Sequence, residues 1–170
     1  MTDVLVFDNS PLNYFARSGC LGVLEAISVQ HARFTTRIVR EELRAGLRQH
    51  AELQLILDAP WLGVVPEDVR TVSTFARLRR RLGDGEASVI AYSQVHGGTA
   101  VIDDQAGFKI AKQEGVAVTR TLNLVADAIH DGRMSDLQAD TVLSLIQDAE
   151  AYLPAVDGST LEWLRKERLI

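Results

Sequence analysis

Val4-Leu5-Val6-Phe7 is an unbroken apolar run that stops at Asp8, the pattern of a short strand covered on both faces. Ser10 is a good N-cap and Pro11 a good first helical residue, so a helix is expected to about Arg17, ended by Gly19. Leu21–Ile27 reads as another helical turn or two and Ala32–Thr35 as a short strand, with Thr36 capping a helix over about Arg37–Arg48. Ala59–Pro66 reads as a turn and a short strand, and about Glu67–Leu82 as a helix broken by Gly83-Asp84-Gly85. Glu86 opens the next helix, which ends at Gly97-Gly98. Thr99–Ile102 is a second buried strand, stopping at Asp103-Asp104. A helix to about Glu114, a strand over Val116–Thr119, a helix capped by Thr121, further helix over about 135–150 and a last helix from near Ser159 complete the chain. Strands alternating with helices predict an α/β fold with a mainly parallel central sheet.

Composition narrows the class. At 170 residues, 46% hydrophobic and 24% charged, the chain suits one globular domain and is neither disordered nor fibrous. No apolar stretch reaches the roughly 18 residues that span a bilayer. The start, MTDVLVFDNS, has an acid at position 3 and no basic segment ahead of its apolar run, unlike a secretory signal, so a cytoplasmic location is expected. Cys20 has no second cysteine to pair with, and the four histidines show no zinc spacing. The net charge of −5 is uneven: residues 1–120 carry 14 basic and 14 acidic side chains, residues 121–170 carry 4 and 9. Arg37, Arg40, Arg44 and Arg48 fall in one stripe of a helix, and Arg77, Arg79, Arg80 and Arg81 form a second cluster. Guanidinium groups suit phosphate oxygens, so Arg40, Arg44 and Arg48 are candidate contacts for a phosphate backbone or a partner. A solvated helix face, or pairing with the acidic tail, is the other reading of the same stripe.

In parallel α/β sheets ligands sit outside the carboxyl ends of the strands, and two predicted strands end in aspartate. Asp8, Asp103 and Asp104 should therefore share one edge, although each also has a local reading as a helix cap or turn residue. Glu42 lies beside Ile38 and Val39 on the apolar side of its helix, where a carboxylate is unusual without a partner. Glu86 shares a face with Val89 and Ile90, and a first-turn acid there is also favoured by the helix dipole. Glu41 points about 100° away from Glu42 and reads as a surface residue. If these acids converge, each pair 4 Å apart repels by about 4 kcal/mol at an effective dielectric of 20, so the cluster calls for a cation. An all-oxygen set suits Mg²⁺ or Mn²⁺ rather than zinc, and the chemistry that follows is metal-assisted attack of water on a phosphodiester.

The order VLVFDNSPL, EEL, GDGEASVIAYS, AVIDDQAGFKIAKQEGV resembles PIN-domain ribonucleases over about residues 4–130, and within them the VapC-like toxins of prokaryotic toxin–antitoxin pairs. The subgroup with a D-x-S-P-L start and a G-E-A-x-x-I helix looks most similar. The resemblance implies a PIN-like nuclease core over residues 1–131; the tail over 132–170 carries no motif of the family and is expected to be a helical C-terminal extension packed on the core, its acidic helices serving as a lid, a dimer surface or a dock for a partner. It implies a ribonuclease in which Asp8, Glu86 and Asp104, with Glu42 nearby, hold one or two Mg²⁺ or Mn²⁺ ions. Ser10 corresponds to a supporting hydroxyl residue. Asp103 stands close behind Asp104 as a metal ligand, and one sequence does not choose between them. Asn9 departs from the commoner Thr or Ser beside the first acid, which matters little if its side chain points away. The resemblance also implies an RNA substrate, a homodimer, and a small antitoxin whose basic or aromatic segment reaches the acidic site.

Overall fold

The structure, a computed structural model, describes residues 3–149 and 160–170. Five parallel strands form one sheet: β1 (Val4–Phe7), β2 (Ala32–Thr35), β3 (Gly63–Val64), β4 (Thr99–Val101) and β5 (Val118–Thr119), in the spatial order β3-β2-β1-β4-β5. The protein is therefore α/β with a central sheet flanked by helices, as its alternating pattern predicts. Phe7 is level with Thr35 on one side and with Val101 on the other. The chain steps from β1 out to β3, crosses back, and then steps from β4 to β5 in the opposite direction. The reversal falls between β1 and β4, and the crevice beyond the carboxyl ends at such a point is the usual ligand site of an open α/β sheet. Asp8 and Asp103-Asp104 leave the sheet there.

The first crossover is α1 (Asn9–Arg17) and α2 (Leu21–Ile27), and the second is α3 (Arg37–Gly46), a 3-10 turn (Ala51–Leu53) and α4 (Gln54–Leu57). The return to β4 runs through α5 (Val69–Leu78) and α6 (Asp84–His96). Next come α7 (Gln105–Gln113), then α8 (Thr121–His130), α9 (Asp136–Asp148) and α10 (Thr160–Lys166) beyond β5. The expected start of the last helix at Ser159 lies outside the described residues.

Several boundaries differ from the sequence expectation. Asp8, not Ser10, is the N-cap residue of α1, and Ser10 sits inside the first turn. The strand runs straight into the helix: the Asp8 N–H still donates to the Val101 carbonyl at 3.1 Å, which leaves no residues for a turn. The α3 helix stops at Gly46, short of Arg48, because the chain folds back there and the His50 N–H bonds the Gly46 carbonyl. Gly83 in extended conformation caps α6, so that helix opens at Asp84 rather than Glu86. Thr121 is the first residue of α8 rather than its cap, since its hydroxyl is used by Asp103. The short helical stretch over 51–57 has no counterpart in the sequence reading.

One hydrophobic core joins Leu5, Val6 and Phe7 of β1 with Ala100 and Val101 of β4, and with Val89 and Ile90 of α6. The same core takes Ala139, Leu143 and Ile146 from α9 and Leu161 and Leu164 from α10. Cys20 packs as a small buried hydrophobe, the role its sequence context suggests. Among the described residues no helix is long and apolar enough to cross a membrane.

Candidate active site

Asp8 is carried to the switch point by β1, whose apolar residues bury it to 3% exposure. Its Oδ1 is buried with no hydrogen-bond partner. Burial pushes its pKa up to about 7, and the charges of Glu86 and Glu42 push in the same direction. The backbone N–H groups of Asn9 and Ser10, at the start of α1, oppose that rise without forming a cap hydrogen bond. A carboxyl group in this state is poised to lose its proton when a cation arrives.

Glu42 comes from α3 and is half-buried. Its Oε1 accepts the Gly85 N–H at 2.8 Å. Burial raises its pKa, the Gly85 N–H and the Asn9 side chain hold it back, and the charge of Asp84 adds to the rise. Asn9 thus faces the site, so its departure from Thr or Ser bears on Glu42, and its Oδ1 is buried without a partner. The same helices are tied by a chain of hydroxyls. The Val39 N–H donates to Thr36 Oγ1, Thr36 Oγ1 lies 2.7 Å from Ser88 Oγ, and Ser88 Oγ donates to the Gly85 carbonyl at 2.6 Å. Ser88 has one hydroxyl proton, so the Thr36 hydroxyl is the donor between them. Gly85, whose N–H holds Glu42, is therefore tied through its carbonyl and Ser88 to the N-cap of α3.

Glu86 lies in the first turn of α6 and is half-buried because that helix is covered nearly all round. Burial raises its pKa, followed by the charge of Asp104, while the Gly83 backbone N–H opposes the rise and Glu42 adds to it. Two glycines make room for these carboxylates. A Cβ on Gly85 would lie 2.5 Å from Glu42 Oε2, and one on Gly107 would lie 2.7 Å from Glu86 Oε1. Glycine is needed here for close approach rather than for backbone freedom. Neither residue was singled out as a site residue from sequence; Gly85 at least lies between Asp84 and Glu86 at the start of a helix.

The two aspartates after β4 have different partners. Asp103 turns both oxygens onto Thr121, accepting its N–H at 2.8 Å and its hydroxyl at 2.6 Å, which ties β4 to α8. Burial raises its pKa against those bonds and against the charge of Arg120. Asp104 caps α7, its Oδ1 accepting the N–H groups of Ala106 and Gly107, and it is the member of the pair that acts on Glu86. The arginine stripe is dispersed. Arg37 pairs with Glu41 and Glu67, Arg40 donates to the Leu57 carbonyl at 2.9 Å, Arg44 is exposed in the last turn of α3, and Arg48 lies beyond the helix end.

Asp8, Glu42, Glu86 and Asp104 thus form one electrostatic group in which the charges acting on Asp8, Glu42 and Glu86 are all negative. Oxygen donors, an orphaned buried carboxylate oxygen and hollows kept open by two glycines fit a hard divalent cation such as Mg²⁺ or Mn²⁺. The acids do not form a closed ligand shell: among the described residues no three His, Cys, Asp or Glu side chains stand together in ligand geometry. Glu42 and Asp104 each spend an oxygen on backbone N–H groups.

The fold and site together define a parallel α/β domain with an acidic centre at its switch point. Residues 4–156 match the family model DUF3368, described as a PIN domain, so the chain belongs to the PIN-domain family. The PIN fold is a nuclease-type fold; its members are usually nucleases and typically use divalent metals. A comparison with curated proteins gave no match.

Proposed function

We propose that this PIN-domain protein is a metal-dependent endoribonuclease and the toxin of a type II toxin–antitoxin pair. The observation that carries the nuclease reading is the buried, unpartnered Asp8 oxygen, set among carboxylates that raise its pKa. Asp8, Glu86 and Asp104 would hold Mg²⁺ or Mn²⁺, with Glu42 alongside. When bound, the ion supplies Lewis-acid chemistry, lowering the pKa of an attacking water and offsetting charge on the phosphoryl oxygens. Asp8 would release its proton to solvent and present Oδ1 as an ionised ligand. Glu42, fixed by Gly85 and with its pKa above the usual glutamate range, takes the proton of the water. Asp103 holds α8 in place through Thr121 and is left out of the ligand set. The toxin part is supported by the order of sequence motifs and by electrostatics: a partner's arginine is a ready substitute for the metal as counter-charge to these acids.

The open ligand shell favours a second reading, a binding module that holds RNA or protein through this crevice and cuts nothing. The test is incubation of wild-type and Asp8→Asn protein with total RNA in Mn²⁺, Mg²⁺ or EDTA, read on a gel. One further reaction adds any small protein found to be encoded beside this chain, the antitoxin that the reading expects. Cleavage by wild type alone, abolished by EDTA and blocked by that protein, is the expected result. Metal-dependent cleavage that the small protein neither binds nor blocks would make the chain a housekeeping RNA-processing nuclease. No cleavage in any reaction would leave the binding module.

A further inference from the structure

The acidic crevice has a basic flank one strand away. Arg120 follows β5 directly, where Val101 is level with Thr119 and the Ile102 N–H donates to the Thr119 carbonyl at 3.0 Å. Adjacent strands lie about 4.8 Å apart, so Arg120 emerges beside Asp103-Asp104 on the same edge of the sheet. Its guanidinium lies 4.1 Å from the centroid of the Phe108 ring on α7, and Lys112 adds its ammonium at 4.8 Å from that centroid. Arg120 Nη2 donates to Gln105 on the same helix, and its Nε is buried without a partner.

The charge of Arg120 acts on Asp103 and lowers its pKa, but the two Asp103 oxygens accept their hydrogen bonds from Thr121 rather than from this guanidinium. Arg120 is in no ion pair among the described residues, whereas Arg37, Arg70, Arg77, Arg79, Arg133 and Arg165 all are. What fixes it is a flat aromatic surface and a neutral amide. A guanidinium over an aromatic ring keeps its charge and has N–H groups for a phosphate, and a guanidinium plane is also able to stack on a base. Arginine planes and phosphate contacts are how single-stranded RNA is held without reading a duplex.

We propose that Arg120, laid on Phe108, is a nucleotide contact for the RNA strand in the acidic crevice, taking a phosphate through its N–H edge and a base by stacking. The proposal rests on the ribonuclease reading. It assigns substrate binding to the β5–α7 flank rather than to the arginines of α3, of which Arg37 and Arg40 are engaged within the fold.

The test uses the full chain carrying Asp8→Asn, so that binding is read without cleavage, and a short fluorescent single-stranded RNA at several salt concentrations. Adding Arg120→Ala is expected to weaken binding about tenfold and to flatten the salt dependence by about 0.7 of a log–log unit, one phosphate contact. Arg120→Lys should keep the slope and recover only part of the affinity, because an ammonium does not stack as a plane. Phe108→Leu, which keeps the charge, should also weaken binding. Thermal melting of each variant checks that it is folded. Unchanged affinity and slope in Arg120→Ala overturns the proposal, as does complete recovery by Arg120→Lys. If neither the folded Asp8→Asn parent nor the wild type in EDTA binds RNA and the wild type cuts none with metal, the ribonuclease reading falls and this contact with it. If the parent binds and Arg120→Ala binds equally well, the contact alone falls.

Discussion

Asp8 is the residue on which pH acts most directly. Its carboxyl titrates near 3.8 when free and near 7 in the fold. Between those values the native state keeps a proton that the unfolded state has lost, so stability declines as pH rises through that window. The full shift is worth up to about 4 kcal/mol, a large part of a typical domain's 5–15 kcal/mol. Glu42 and Glu86 are shifted in the same direction. In EDTA, the melting temperature of the wild type is expected to fall from pH 5 to pH 8, and that of Asp8→Asn to fall less and finish higher. Added Mn²⁺ should raise the wild type at pH 8 and leave the variant nearly unmoved. Parallel curves for the two proteins would show that Asp8 is not the titrating group. Asp8 was legible in sequence because a buried strand ending in an acid fixes where that acid goes. Asn9 was not, because its direction depends on α1 starting without a turn.

At the level of elements, α3 and α6 are registered by the hydroxyls of Thr36 and Ser88 rather than by apolar packing alone. Ser88→Ala leaves the Thr36 hydroxyl without its buried acceptor and removes a side-chain donor from the Gly85 carbonyl. Losing such a partner costs about 1–3 kcal/mol. Cleavage is expected to drop further than that stability loss accounts for, even well below the melting temperature, since Gly85, whose N–H holds Glu42, loses its tie to the N-cap of α3. Urea unfolding and RNA cleavage measured on the same preparation separate the two effects, and equal losses would reduce Ser88 to a packing residue. The cap at Thr36 was readable from sequence, as were all five strands. The link to Ser88 was not, because it joins residues 52 positions apart that carry no local signature. Gly107 was hidden for the same reason: the carboxylate it admits belongs to another helix.

For the whole molecule, α9 and α10 are part of the core rather than an appendage. Truncation after Asp131 would remove Leu143, Ile146, Leu161 and Leu164, all buried. At about 1.5–3 kcal/mol for each buried aliphatic side chain, the loss rivals the whole stability of the domain. The 1–131 fragment is expected to show no cooperative melting transition and to bind a hydrophobic dye; a sharp transition like that of the full chain would refute this. The fold class was legible because short apolar runs and helical caps are local signals. How much of the core the tail supplies was not, since its acidic faces mask the apolar side that reaches the core. The sheet order has one more consequence. Strand β1, made first, lies between β2 and β4, and β4 is made only around residue 100. A growing chain thus exposes Asp8 early on but lacks the neighbours that surround it until most of its length has been synthesised. The four acids span residues 8–104 and the core beneath them also draws on α9 and α10, so the acidic centre takes its shape only after nearly the whole chain has left the ribosome.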